Sequence, residues 1–174
     1  LIDLELAKTT DFYQEISGKE ELEELKIFYD LRLVKSDYIA NNIYIDNSKL
    51  VLLDAEKKQI IILDILTKKV DVRDFSEYDE VRNLAVNKSV VFVLANGIQS
   101  FDLEDNSEIK EVRNLGDSNR NATFINSYDR FVYVLSPDKR NIYRYSKDDA
   151  GYSDPIGWMT SATGLKYNEI TSFS

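Results

Sequence analysis

Along most of this 174-residue chain, large apolar side chains alternate with polar ones in short runs, and clusters of Asp, Asn, Ser and Lys separate the runs. A period of two is the mark of a half-buried β-strand, and the polar clusters supply the turns. In "YVLSPDKRNIYRYS", Tyr133 to Ser146, two such runs flank a Ser-Pro-Asp-Lys-Arg-Asn turn, which predicts a β-hairpin. The hairpin recurs. Residues 42–72, 83–112 and 123–152 align on the leucine that closes the second apolar run, and Leu53, Leu94 and Leu135 follow one another at steps of 41 residues.

Each unit has the same order of parts. A short first run (Ile43 and Ile45; Leu84 and Val86; Phe124) leads through a polar turn into a strongly apolar second run. A third run ends on Asp64, Asp102 or Ser146, whose side chains are suited to accept a hydrogen bond from the backbone two residues on. A more polar fourth run, such as "KKVDVRD", closes the unit. Four strands in about 40 residues is the period of a propeller blade. Repetition has a physical cause: one four-stranded sheet cannot cover either of its faces, whereas sheets stacked around an axis cover one another. The expected fold is therefore all-β, a β-propeller segment of about three four-stranded blades. A β-sandwich also accommodates about ten short strands, but it does not require this self-similarity.

The flanks differ from the repeats. Residues 1–27 form an acidic segment, in which "SGKE" has the Ser-x-x-Glu form of a capping box and predicts a short N-terminal helix. Residues 28–174 hold the partial propeller, with units at about 42–74, 83–115 and 123–153 and the start of a fourth near 169. "FYDLRLVKSDY", residues 28–38, alternates as a strand, and a long insertion, "SDPIGWMTSATGLKYNE", is expected after the third unit. The chain starts on Leu1 and stops within an apolar alternation, so both ends read as cut from something longer. Closing the ring then falls to residues elsewhere or to self-association with another chain.

Charge and composition narrow the function. Lys and Arg number 22 against 31 Asp and Glu, a net charge of −9, of which residues 1–24 carry −6. Such a balance repels a phosphate backbone, so no nucleic-acid partner is expected. No run approaches the roughly 18 apolar residues that span a bilayer, so no direct membrane insertion is expected in this segment. The chain has no cysteine and no histidine. Thiolate chemistry, imidazole bases and histidine metal sites are thereby excluded from it, while the compartment stays undetermined.

Several short motifs reduce to turns. "GDSN" at 116–119 has the look of an esterase nucleophile block but lacks a histidine partner. "SPDK" at 136–139 matches Ser-x-x-Lys, yet Pro137 and its flanking strands make it a β-turn. "DLEDNSE" is oxygen-rich, but Ser107 and Arg113 stand where a calcium loop of the EF-hand type needs Gly and Glu. Asp148 and Asp149 are adjacent on a strand and point apart. No catalytic residue, metal site or cofactor is expected.

The third-strand form "IILDILTKKV", with "IQSFDLEDNSEIKEV", is similar to the repeats of WD, NHL, quinoprotein-like and YVTN propellers, although the Trp-Asp ending of true WD repeats is missing. The resemblance covers about 110 residues and implies the fold. Residues 28–64 together with "NIYRYS" also resemble the C-terminal propeller region of membrane-anchored bacterial proteins whose N-terminal part is similar to a metal-dependent protein phosphatase. That second resemblance implies a non-catalytic module on the extracytoplasmic side of a bacterial membrane.

With first strands innermost, the turns at 55–58, 95–97 and 136–141 and the connectors at 75–80, 116–121 and 154–168 project to one side. Lys57, Lys58, Arg120, Lys139 and Arg140 would then form a basic rim on an acidic protein. Trp158, in the expected insertion, either packs over a blade edge or is presented to a ligand. The candidate binding residues are Arg120, Lys139, Arg140 and Trp158. The expected function is a non-enzymatic recognition or scaffold module of a larger bacterial protein, whose loops bind a protein or small ligand. The alternatives are part of a propeller enzyme with its catalytic residues elsewhere, or a purely structural assembly module.

Overall fold

Three consecutive antiparallel meanders make up almost all the regular structure. The structure, a computed structural model, describes residues 26–105, 108–115, 120–149, 151–159, 166 and 169–171. The chain divides into two units, Leu1–Asp30 and Leu31–Ser174, and the meanders lie in the second. The expected N-terminal helix lies outside the described residues, as do residues 172–174 of the expected fourth unit. Among the described residues, no helix is long and apolar enough to cross a membrane.

The first sheet holds β1 (Asn42–Asp46), β2 (Lys49–Asp54), β3 (Gln59–Asp64) and β4 (Val70–Asp74) in that spatial order. The second holds β5 (Asn83–Asn87), β6 (Val90–Leu94), β7 (Gly97–Asp102) and β8 (Lys110–Asn114). In the third, β9 (Phe124–Tyr128), β10 (Phe131–Ser136) and β11 (Asn141–Asp148) are followed by β12 (Gly151–Tyr152) and β13 (Ile156–Gly157). Both of these short strands pair with β11. First strands lie beside one another, β1 by β5 and β5 by β9, as they do around a propeller axis. The fold is all-β, a partial propeller of three four-stranded blades.

Blades stack through the faces that the alternation predicts. Val51, Leu53, Ile60 and Ile62 of the first blade bury against Leu84, Val91, Val93 and Phe101 of the second. Ala85, Phe92, Leu94 and Ile98 on the opposite face of the second bury against Ile125, Val132, Val134 and Tyr145 of the third. Each fully buried aliphatic side chain contributes on the order of 1.5–3 kcal/mol. Because β2 and β3 are covered on both faces, they read as continuous apolar runs, Val51 to Leu53 and Ile60 to Leu63.

Tight first turns follow from local chemistry. Asn47 and Asp129 take positive φ, as their short polar side chains allow, and Lys88 and Ser89 both do so between β5 and β6. Asp64 accepts the Leu66 N–H at 3.1 Å and Asp102 the Glu104 N–H at 2.8 Å, so the expected turn bonds form in the first two blades. Ser146 departs from this expectation, because β11 runs on through Asp148 and the Ser146 N–H donates to Ser153 Oγ at 3.0 Å.

Two sequence expectations are corrected. Residues 28–38 do not form a strand; a 3-10 helix covers Leu31–Leu33, and the Leu31 carbonyl accepts from the Val34 and Lys35 N–H groups at 2.9 and 3.0 Å. These local bonds satisfy backbone groups that a strand would have paired across a ladder. The expected insertion after the third unit begins instead as that blade's fourth strand, in two pieces. Pro155, which has no N–H to donate, stands between β12 and β13.

The segment before β1 is tied down at its far end. The buried Asp54 carboxylate accepts the Ile39 N–H at 2.9 Å and the Lys57 N–H at 3.0 Å. The Tyr38 hydroxyl donates to the Leu52 carbonyl at 2.6 Å and lies 3.2 Å from that of Gln59. Burial pushes the Tyr38 pKa up to about 12. Since the unfolded tyrosine titrates near about 10, the neutral folded form contributes stability fully below that pH. The contribution is lost as pH rises through about 12. Urea midpoints measured along this range should fall more steeply for the native chain than for Tyr38→Phe; parallel curves would show that Tyr38 titrates as if exposed.

Candidate functional site

Antiparallel meanders place alternate connections at opposite ends of the blades. The second-to-third turns and the blade-to-blade connectors share one end, and there Asp79, Glu80, Arg82, Asn96, Asn114, Arg120 and Asn121 line a polar cleft of about 310 Å³. The rigid parts are the strand ends; the lining is drawn from the connectors on either side of the second blade.

Arg82 anchors the cleft. Its Nη1 donates to the Ala122 carbonyl at 3.1 Å, joining the two connectors, while Nε donates to Glu80 at 2.9 Å. Asn96 donates to Asp79 at 3.2 Å. Asn121 reaches Asp138 in the β10–β11 turn at 3.4 Å, so that turn is linked to the cleft's rim. The Ser136 hydroxyl, 2.8 Å away, and the Lys139 N–H hold the Asp138 carboxyl below the usual carboxylate range, against a smaller opposing effect of burial. Arg120 lines the cleft, is exposed, and has no ion-pair partner among the described residues.

Of the four candidates from sequence, Arg120 alone lines this cleft. Arg120, Lys139 and Arg140 lie at the same end of the blades, with Lys139 and Arg140 exposed in the β10–β11 turn. Trp158 lies on the outer side of that turn: its backbone N–H donates to the Ile142 carbonyl at 2.8 Å, the next residue bonds the Asn141 side chain, and its ring packs 5.2 Å from that of Tyr133. The expected basic rim is corrected as well. Lys57 pairs with Asp37, and Lys58 Nζ donates to the Tyr78 carbonyl at 2.8 Å, so both serve the fold. Alternation gave no signal for Asp79, Glu80, Asn96 or Asn121, which sit in connectors and turns, or for Asn114 at the end of β8; repeat position alone would have assembled them.

A second cleft of about 380 Å³ opens at the opposite end, between the β3–β4 and β7–β8 turns. Several of its charges are engaged locally: Asp64 accepts the Thr67 N–H at 2.7 Å, and within β4 Arg73 pairs with Asp71 at 2.9 Å. Among the described residues, no group of three or more His, Cys, Asp or Glu side chains is placed to hold a metal ion. Residues 116–119 lie outside the described residues, and "SPDK" is the expected turn, closed by the Arg140 N–H on the Pro137 carbonyl at 3.1 Å.

No protein-family profile and no curated protein matches the chain. Solved structures do. The N-terminal domain of Nup159, a β-propeller, superposes with a TM-score of 0.50 at 13% identity, over 68% of this chain and 30% of that one. A functionally unknown protein from Desulfotomaculum acetoxidans DSM 771 gives 0.49 at 11% identity, over 71% and 41%. Luciferin-regenerating enzyme gives 0.40 at 13% identity, over 69% and 60%. At such identities the likeness to the Nup159 domain shows the fold alone, and the chain spans less than a third of that domain.

Proposed function

We propose that the chain is a non-enzymatic recognition and scaffold module of a larger bacterial protein, and that it binds a protein or small ligand through the connector end of its blades. The observation that carries this reading is the convergence of two connectors and the β6–β7 turn on one polar cleft, held at the ends of paired strands. Arg120 is its available cation, and the amides of Asn96, Asn114 and Asn121 surround it. A guanidinium among amides suits a carboxylate-bearing peptide or small acid, which the guanidinium fork can hold through two parallel hydrogen bonds.

A photoreactive side chain placed at position 120, and in a second variant at Leu66 on the opposite end, tests this. Cross-linking in the source cell is expected to yield a discrete adduct from position 120 and none from position 66. Reversal of charge in Arg120→Glu with Lys139→Glu is expected to slow capture of that partner and flatten its dependence on salt. Equal adducts from both positions, or adducts from position 66 alone, would overturn the reading.

A further inference from the structure

Of the six glycines in the chain, only Gly97 follows an asparagine. The pair stands in the β6–β7 turn, where Asn96 is exposed while Ala95 and Gly97 on either side are buried. Packing requires the glycine, since a Cβ there would meet the Arg113 carbonyl oxygen at 2.6 Å. The turn does not require the asparagine: Asn96 does not take the positive φ that an Asn-Gly hairpin turn of type I′ needs at its first residue. The Ala95 N–H donates to the Gly97 carbonyl at 2.8 Å. In a strand the N–H and C=O of one residue point to the same side. The Gly97 N–H is therefore directed into the turn, away from the ladder with β8.

This arrangement leaves the Asn96 side chain open to attack by its own backbone. The nitrogen that follows an asparagine can close on its Cγ, and the attack is slowed by a side chain on the following residue or by a ladder that holds the N–H. Gly97 has no side chain to shield it, and its N–H faces away from β8. The Asn96 amide is held at the edge of the polar cleft, where Nδ2 donates to the Asp79 carboxylate at 3.2 Å. Its exposure gives water and hydroxide access to the reacting groups.

We propose that Asn96 is a site of spontaneous covalent modification, at which the Gly97 nitrogen bonds to Asn96 Cγ and the side-chain nitrogen leaves as ammonia. Hydroxide takes the Gly97 N–H proton, the N–Cγ bond forms, and the Cγ–Nδ2 bond breaks as water protonates the departing nitrogen. Water then opens the cyclic imide at one carbonyl or the other. The net change is the gain of one water and the loss of one ammonia, leaving aspartate or isoaspartate with no change of oxidation state.

The consequence falls on the cleft, whose lining sets Arg82 and Arg120 against Asp79 and Glu80. A carboxylate at position 96 tips that balance toward acid. It also turns the hydrogen bond with Asp79 into a repulsion of like charges, which loosens the β6–β7 turn from the connector before β5. Both changes oppose the acidic ligand proposed above; that effect rests on the proposed reading of the cleft, whereas the modification does not.

Incubating the folded chain at neutral and mildly alkaline pH, then mapping its peptides by mass spectrometry, tests the proposal. Conversion is expected to be fastest at Asn96, ahead of Asn47 and Asn126, which precede serine, and to rise in proportion to hydroxide. Both aspartate and isoaspartate should appear, with one added negative charge in ion exchange, and Asn96→Gln should abolish that product. A synthetic peptide of residues 92–101 gives the rate without the fold. An intact Asn96 in the folded chain while the peptide converts would overturn the proposal, and so would conversion no faster at Asn96 than at Asn47. Asn96→Asp, combined with the photoreactive side chain at position 120, should give a weaker adduct than the same variant with Asn96 intact. Equal adducts would overturn the effect on binding and leave the modification standing.

Discussion

Replacing Phe75 with alanine is expected to lower the unfolding free energy by about 3–5 kcal/mol, the cost of emptying a fully buried aromatic site. Phe75 follows β4 directly and drops its ring into the interface of the first two blades, 5.7 Å from Tyr78 and 6.2 Å from Phe101 by ring centroids. Its backbone is fixed on both sides, with its N–H on the Lys58 carbonyl at 2.8 Å and its carbonyl receiving the Tyr78 N–H at 3.0 Å. The connector therefore cannot collapse into the space that the ring leaves. Leu115 follows β8 in the same way and is likewise buried, so Leu115→Ala should weaken the next interface by about 2–5 kcal/mol. Leu66→Ala, at a position 80% exposed, should stay within about 0.5 kcal/mol of the native chain. Urea unfolding of the three variants checks the order. A Phe75→Ala midpoint equal to that of Leu66→Ala would mean that the first blade does not rest on the second as described.

Domain stabilities of about 5–15 kcal/mol make such a loss decisive for the module's integrity. In a stacked array each blade is held mainly by its neighbours, so the weakened interface should also free the first blade to unfold before the others.

The repeat was legible in the sequence because Leu53, Leu94 and Leu135 fall at one step and every second residue around them is apolar. That alternation specifies which face each side chain takes, and the faces of all three blades follow it. The fourth strand of the third blade was obscured because Pro155 divides it and Ser153, rather than a regular ladder pair, bonds the Ser146 N–H. Buried Gln99 shows a different limit: composition would place it outside, yet it occupies the repeat position of Ile61. The candidate site was read only in part. Arg120 was visible as a cation in a connector, but the Asn and Asp residues around it acquire meaning only when two connectors 40 residues apart meet, as Arg82 and the Ala122 carbonyl do. Trp158 was open to two readings from sequence, packing over a blade edge or presentation to a ligand, because its pairing with Ile142 joins positions 16 residues apart and leaves no mark among its immediate neighbours.

Gly97→Ala carries the second large effect, through space rather than backbone freedom. A Cβ at this position would stand 2.6 Å from the Arg113 carbonyl oxygen and 3.4 Å from Asn114 Cα, both backbone atoms of the paired strand. The pair sits beside an irregularity in the ladder, where Ile98 faces Arg113 but Gln99 faces Glu111, leaving Val112 as the extra residue of a bulge. Relieving the contact means moving β8, and with it the Arg113 side chain that holds Tyr152 and Asp154 of the third blade. Overpacking of this kind costs about 1–3 kcal/mol and occasionally more. The loss of unfolded-chain freedom on replacing glycine offsets only about 0.4–1 kcal/mol of it. A net fall in Tm of a few degrees is expected, at about 2–4 °C per kcal/mol for a chain of this size. Gly157→Ala is the contrasting case, because there the new Cβ would meet the Asn141 side-chain amide at 3.0 Å, and that side chain can give way where a backbone carbonyl cannot. Melting both variants separates the two causes: Gly97→Ala should melt lower than Gly157→Ala. An unchanged Tm for Gly97→Ala would show that β7 and β8 are less closely paired than the bulge geometry requires.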